Sequence, residues 1–538
     1  MIKSAFSKYL IISIILLAVI GCTEKKKRIL NLPSTDMAEA SLIPKPLKII
    51  ATNEAFGLDH TTSIYTSAND KNFEKVGLFL ADKIKSKTNL RLAVNDPEVP
   101  EVNGVIYINQ SDSDELTTAE AYQLYITKDS IILNAKTAEG AFRGIQTIRQ
   151  LIPEISNDTI TELPVWVVPT GKILDIPNFE FRGSMLDVAR HFFSVEDVKK
   201  YIDLLSYYKI NALHLHLTDD QGWRIEIKSW PKLTEIGGST EVGGEAGGFF
   251  TQEDYKEIVA YAADRYMMII PEVDMPGHTN AASVSYPILN GNGKTPKLYE
   301  GTHVGFSTFD ARKDTVYSFI DDVVREISAL SPSPYFHIGG DESHVTKKSD
   351  YIYFVNRVEK IVQKYGKQMI GWDEVAQADV SSSSIAQFWD SEENAQEAVK
   401  KGMKVIISPA KKAYLDMQYD TLSKHGLHWA AFIPVDTAYV WSPEKYAGIP
   451  KENILGVEAP LWSETISNLE ELEYLAFPRV IGYSELSWST QENRDWDNFK
   501  VRLGNQAPYL DRMNVKYYPS ELIDWKESKF TYKEIKKD

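Results

Sequence analysis

Between residues 181 and 462 strand-like and helical patterns alternate eight times, and that alternation limits the chain to very few folds. The strand candidates are FRGSMLDV from Phe181, INALHLHL from Ile210, MMIIPEVD from Met267 and PYFHIGG from Pro334. QMIGWDE from Gln368, SIAQFWD from Ser384, KVIISP from Lys404 and ILGVEAPLW from Ile454 follow. Ser194 with Asp197, and Thr251 with Asp254, carry the spacing of a helix capping box, so two of the intervening helices announce their starts. Eight strands interleaved with helices predict an α/β chain closed as a (β/α)8 TIM barrel. At 538 residues the chain is also too long for one ordinary core, and a second domain is expected.

That second domain is read between residues 41 and 175, with the barrel from 176 to 538. GVIYIN (Gly104–Asn109) and YQLYIT (Tyr122–Thr127) have strand character, and Ala138 to Ile152 places Ala141, Ile145, Ile148 and Ile152 on one helical face before Pro153 stops it. The result is a smaller α/β domain with one tryptophan and no catalytic cluster. Ahead of it, Lys3 and Lys8 precede an apolar run, Tyr9 to Ile20, that is short for a membrane span and right for a secretion signal. VIGC, Val19 to Cys22, resembles a bacterial lipobox, which implies a signal peptide over 1–21, acylation of Cys22, a tether over 22–40 and a lipid anchor in the bacterial cell envelope. Cys22 is the only cysteine, so no intrachain disulfide can form. A net charge of −16 with no offsetting basic block excludes a nucleic-acid partner.

In a barrel of this kind, chemistry gathers where strands end. Arg190 and His191 follow the first strand, while Arg182 sits at its start and is expected to be structural. Asp219 and Asp220 end the second strand, and Asp274, with His278 beyond, the third. The fourth runs through HIGGDE to Asp341 and Glu342; the fifth carries Trp372, Asp373 and Glu374, the sixth Trp389 and Asp390. Past the seventh lie Tyr414, Asp416 and Trp429, and the eighth ends near Trp462 and Glu464. Tryptophan faces cover the apolar side of a pyranose, and carboxylates with an arginine take its hydroxyls. Adjacent strand residues point to opposite faces, so Asp341 and Glu342 need a distorted strand end after Gly339-Gly340 to act on one sugar. Two close carboxyls push one pKa upward, the split that a general acid needs. The glycine-rich stretch 237–248 lacks phosphate-loop spacing and reads as a flexible loop.

With those residues laid out, the chain resembles glycoside hydrolase family twenty, the β-N-acetylhexosaminidases. MLDVARHF from Met185, LHLTDDQGWR from Leu215, PEVDMPGH from Pro271, HIGGDE, GWDE from Gly371, YLDM from Tyr414 and EAPLWSE from Glu458 carry the resemblance in order, and IPKP from Ile43 opens a similar N-terminal domain. The resemblance implies a retaining exo-enzyme that removes terminal β-linked N-acetylglucosamine or N-acetylgalactosamine, with no cofactor and no metal. Its substrate-assisted route is a recognised exception to two-carboxylate hydrolysis. By the same resemblance Glu342 is general acid then base, and Asp341 grips the acetamido N–H. Tyr414 donates to the attacking carbonyl, and Trp372, Trp389 and Trp462 wall the acetyl methyl. Arg190, Asp416 and Glu464 hold ring hydroxyls, Trp429 meets the leaving-group side, and Asp219, Asp274 and His278 support Glu342.

Two other readings stay open on sequence. His214 and His216, as HxH on an early strand, suit a metal-dependent deacetylase. A sugar-binding lipoprotein without turnover would use the same scaffold. The natural glycan, the gluco or galacto preference and the oligomeric state are not written in the chain.

Overall fold

The computed structural model describes residues 30–67, 70–96, 104–154, 164–291 and 294–527. The signal run and Cys22 lie outside the described residues, and among the described residues no helix is long and apolar enough to cross a membrane.

The smaller domain is one sheet. Strands β1 (Lys48–Leu58), β2 (Ser63–Thr66), β3 (Ala93–Val94), β4 (Val105–Gln110), β5 (Tyr122–Ile126), β6 (Ser130–Ala135) and β7 (Trp166–Asp175) lie in the order β1-β7-β5-β6-β4-β2-β3. Two helices pack on each other and on this sheet, α1 (Lys71–Thr88) and α2 (Ala138–Leu151). Ala141, Ile145 and Ile148 of α2 are fully buried, as the helical spacing demands, and the helix stops just ahead of Pro153.

Eight parallel strands close the barrel: β8 (Phe181–Asp187), β9 (Ala212–His216), β10 (Met268–Glu272), β11 (Tyr335–His337), β12 (Gln368–Trp372), β13 (Ile385–Phe388), β14 (Lys404–Ile407) and β15 (Ile454–Leu461). Each falls inside its expected apolar run. Helix α3 (Val195–Tyr207) starts on the Ser194–Asp197 capping box, and Gln252–Ala263 on that of Thr251 and Asp254. Inside the barrel, Phe181, Ala212, Ile270, Ile370, Ile385 and Ile406 form an apolar plug near the strand starts. Two residues further along, the inward positions turn polar, with His214, Glu272, Trp372, Gln387 and Glu458. This second layer is the floor beneath the strand ends.

The smaller domain docks at the opposite, strand-start end. Glu120 accepts from both Nη atoms of Arg182 and from Arg143 Nε at 2.7 Å. Arg143 also donates to the carbonyls of Arg265 and Tyr266, at 3.3 and 2.6 Å. Lys209 reaches Tyr122 Oη and Asp175, both at 2.9 Å. Lys209 and Tyr266 take left-handed φ values of 64° and 51° just after helices, where glycine is usual. Both side chains reach the smaller domain, which a glycine at either position would not. Arg182 is thus the structural arginine that its place at a strand start implies. The glycine-rich stretch 237–248 is held in place instead of hanging free. Arg224 donates to the carbonyls of Gly238, Thr240 and Gly248, and Val242 N–H donates to Arg190 O.

Candidate active site

Strand β11 stops at His337, and the backbone then turns left-handed at Gly339 (φ 65°), Gly340 (φ 99°) and Glu342 (φ 44°). A Cβ at Gly339 would stand 1.9 Å from Asp274 Oδ1, so no side chain fits there, and Gly340 N–H donates to that same oxygen at 3.0 Å. The left-handed Glu342 costs on the order of 1–3 kcal/mol, a strain typical of functional positions. The turn breaks the alternation of the strand. Asp341 and Glu342 therefore face one cavity and one imidazole, with His278 Nε2 at 3.7 Å from Asp341 Oδ2 and 3.6 Å from Glu342 Oε2.

Behind them runs a buried chain of opposite charges. Asp219 Oδ1 lies 3.2 Å from His278 Nδ1, while its Oδ2 takes Arg190 Nη2 at 2.8 Å and His216 Nε2 at 3.0 Å. Burial works against a charged His278, but Asp219 and then Asp341 outweigh it and favour the imidazolium. Burial likewise opposes the charge of Asp219, and Arg190 followed by His278 overcomes it, keeping that carboxylate ionised. Glu342 goes the other way. Burial first, then the neighbouring Asp341, raise it to about 7, with His278 and Arg190 pulling back. Burial, then Asp341, push Asp274 well above the usual carboxylate range. The site thus holds an acid loaded near neutrality beside charged partners.

The cavity above encloses about 240 Å³. Arg190, Asp416 and Glu464 line it on the polar side; Trp389, Tyr414, Trp429 and Trp462 line it on the aromatic side. Arg190 lies over the Trp462 ring at 4.9 Å, and Trp429, 57 % exposed, stands edge-on to Trp389 and Tyr414 at the mouth. Trp372 lies deeper, at the base of this aromatic group. It is buried below the lining, its ring 5.6 Å from that of Trp462, because its position on β12 points into the barrel's polar layer. Several polar atoms here are buried without a hydrogen-bond partner, among them Asp341 Oδ1, Asp416 Oδ2 and Arg190 Nε. Orphaned groups of this kind, gathered in one cavity, are what a polar ligand satisfies.

Sequence reasoning missed several contributors. Thr302 and Val304 line the cavity from a long loop with no periodicity to flag it. Leu427 does so because Leu427 N–H is bonded to Asp416 O. Glu374 accepts from Trp389 Nε1 at 3.1 Å, and Asp373 takes the backbone N–H groups of Trp389, Asp390 and Ser391, so these acids orient the tryptophan. Glu272 had a legible signal: a carboxylate at an inward position of an apolar strand needs a partner.

The HxH pair points inward, as two residues on one strand face must. His214 Nδ1 sits 2.9 Å from Glu458, and His216 lies between Glu272 at 2.5 Å and Asp219 at 3.0 Å. Overlapping sets such as His214–Glu272–His337 and Asp219–Asp274–His278 bring donor atoms close enough for a cation. Burial opposes the charge on both histidines of the pair. Glu458 and then Glu272 nevertheless raise His214 to about 9, and Glu272 foremost raises His216. Both histidines therefore sit in a buried network of carboxylates, His214 with Glu458 and His216 with Glu272 and Asp219.

Comparison with known proteins agrees with this geometry. Residues 179–491 match the model of the glycosyl hydrolase family 20 catalytic domain, and residues 39–176 that of family 20 domain 2. The chain belongs to glycosyl hydrolase family 20. It is a glycoside hydrolase, and β-N-acetylhexosaminidase activity is what its relatives within family 20 support. A β-N-acetylhexosaminidase of Cellulomonas fimi is 35% identical over 91% of this chain and 98% of its own. A β-hexosaminidase of Porphyromonas gingivalis is 35% identical over 94% of this chain and 67% of its own. Among solved structures, the family 20 β-N-acetylhexosaminidase of Streptomyces coelicolor superposes with a TM-score of 0.86 at 42% identity, covering 92% of this chain and 100% of that one. The Streptomyces plicatus enzyme, solved as a mutant with its product N-acetylglucosamine, gives the same score and identity over 92% and 99%.

Proposed function

We propose that this family 20 enzyme is a retaining exo-β-N-acetylhexosaminidase that releases terminal N-acetylglucosamine or N-acetylgalactosamine with the substrate's own amide as nucleophile. The observation that carries this is the buried, unpartnered Asp341 Oδ1 beside Glu342, whose carboxyl stays protonated to about pH 7. An acetamido N–H satisfies that oxygen and turns the amide carbonyl toward C1. Glu342 protonates the departing oxygen, the carbonyl closes on C1 as an oxazolinium ion, and Glu342, now a base, directs water to the same face. Tyr414 donates to the carbonyl oxygen in this reading. Trp389 and Trp462 enclose the methyl with Trp372 behind them, Arg190, Asp416 and Glu464 take hydroxyls, and Trp429 carries the leaving group. Asp219, Asp274 and His278 hold the charge balance behind the acid. The partner is an N-acetylhexosamine-terminated oligosaccharide or glycoconjugate.

A matched pair of aryl glycosides tests the reaction: the N-acetylated sugar should be cleaved with retention and blocked by a thiazoline analogue. Equal cleavage of the sugar lacking the acetamide, or an inverted product, would refute it. The lipobox-like VIGC supports a further part of the proposal, a lipid anchor on Cys22 in the cell envelope. Metabolic labelling with a fatty acid should mark the wild type and spare Cys22→Ser; label in both rejects it.

A further inference from the structure

Beneath the cavity, one carboxylate reaches two rings that back the same tryptophan. Glu272 ends β10 and is fully buried. Its Oε1 accepts from Trp372 Nε1 at 2.9 Å, and its Oε2 lies 2.5 Å from His216 Nδ1. The Trp372 ring is 5.6 Å from that of Trp462 at 37°, and the His216 ring meets Trp462 edge-on at 4.9 Å. Trp462 is among the residues lining the cavity, and Trp372 and His216 are the rings packed against it from the barrel side. The position of that wall is therefore fixed from behind by two rings that share one anchor.

We propose that Glu272 is a positioning residue that sets the depth of the acyl pocket by holding Trp372 and His216 behind Trp462. Its surroundings explain why a charged residue serves. His214 Nε2 lies 3.0 Å from Oε2 and His337 Nδ1 3.1 Å from Oε1, both in addition to His216 and Trp372. His214 is tied on its far side to Glu458, which in turn accepts from Gln387 at 2.7 Å. The carboxylate is thus hydrogen-bonded through Oε2 to His216 of β9 and through Oε1 to Trp372 of β12, with His214 of β9 and His337 of β11 packed close beside the same two oxygens. A group clamped this way cannot swing, and the indole hanging from it cannot either. Removing one partner of such a network leaves buried donors unsatisfied, and the rings behind Trp462 gain room to move.

This inference rests on the substrate-assisted reading, because only there does the acyl group enter the reaction. The test is acyl-chain selectivity, measured as kcat/KM on aryl glucosaminides bearing N-acetyl, N-propanoyl or N-butanoyl groups. Wild type should favour N-acetyl steeply. Glu272→Ala should reduce the acetyl-over-butanoyl ratio by about tenfold, since a wall free to retreat admits the longer chain. Glu272→Gln should restore most of the ratio, because its amide oxygen still accepts from Trp372. In a Trp372→Phe background, which removes the indole donor, Glu272→Gln should change the ratio little further. Melting temperature is followed in every variant. A fall in melting temperature with an unchanged acyl ratio would overturn the proposal and leave Glu272 a scaffold residue. Should Glu272→Ala fail to fold, a Glu272→Gln ratio as altered as that of Trp372→Phe would overturn it equally. If wild type itself cleaves the unacylated sugar as well as the acetylated one, the catalytic reading has failed, not this one.

Discussion

Removing the cation behind the acid pair should move the pH profile in one direction only. In His278→Asn the imidazolium 3.6 Å from Glu342 is gone. Two unit charges at 4 Å with an effective dielectric of 20 interact by about 4 kcal/mol, which is the ceiling for the effect. The Glu342 side chain is 27 % exposed, so solvent screens much of this. About a third of the ceiling, roughly 1.4 kcal/mol or one pH unit, should survive. Loss of a positive neighbour raises a carboxyl pKa. The basic limb of kcat/KM, which falls where a free enzyme's general acid deprotonates, should shift from about 7 toward about 8. With an aryl N-acetylglucosaminide, the ratio of variant to wild-type kcat/KM should climb about tenfold between roughly pH 6 and pH 9. A stationary limb, or one displaced to acid pH, would refute the charge chain as the control on Glu342.

Three other expectations follow from named contacts. Glu342→Gln should lower kcat/KM by about 10²–10⁴ on natural glycosides and far less on dinitrophenyl glycosides in the first step, a contrast visible in burst kinetics. Glu120→Gln should destabilise the chain by about 3 kcal/mol, because it leaves the buried Arg182 and Arg143 without their counter-ion, with KM unchanged. Burial opposes the charge of Glu120 while Arg182 and Arg143 draw it down to about 2, so this stability is present above about pH 4.5 and lost as pH falls toward 2. The melting-temperature gap between wild type and variant should close on acidification. Trp429→Ala should raise KM for a disaccharide about tenfold, the worth of roughly 1.4 kcal/mol of stacking, and leave small aryl substrates less affected.

What the sequence discloses here follows from local physics. All eight barrel strands are legible because strands buried on both faces are short apolar runs bounded by turns. Ser194 and Thr251 mark helices because capping is a three-residue event. Even the distorted end of β11 is foreshadowed by Gly339-Gly340. Contacts made across the barrel leave no such trace. Nothing near Trp372 in the chain says that it sits below the lining, since that depends on Glu272, one hundred positions earlier. Thr302 and Val304 were invisible for a related reason, because their loop is pinned by Gln221 to Gly301 O and by Gly243 to Glu300 O instead of by any pattern of its own.

The described chain begins at Leu30, whose side chain packs against Gly57 of β1, and Ser34 is bonded to Asn53 O at 2.7 Å. That leading strap therefore lies on the smaller domain, and the smaller domain sits under the strand starts. The cavity therefore opens at the pole of the barrel opposite the smaller domain and its leading strap, and a glycan entering there meets the exposed Trp429 rim first.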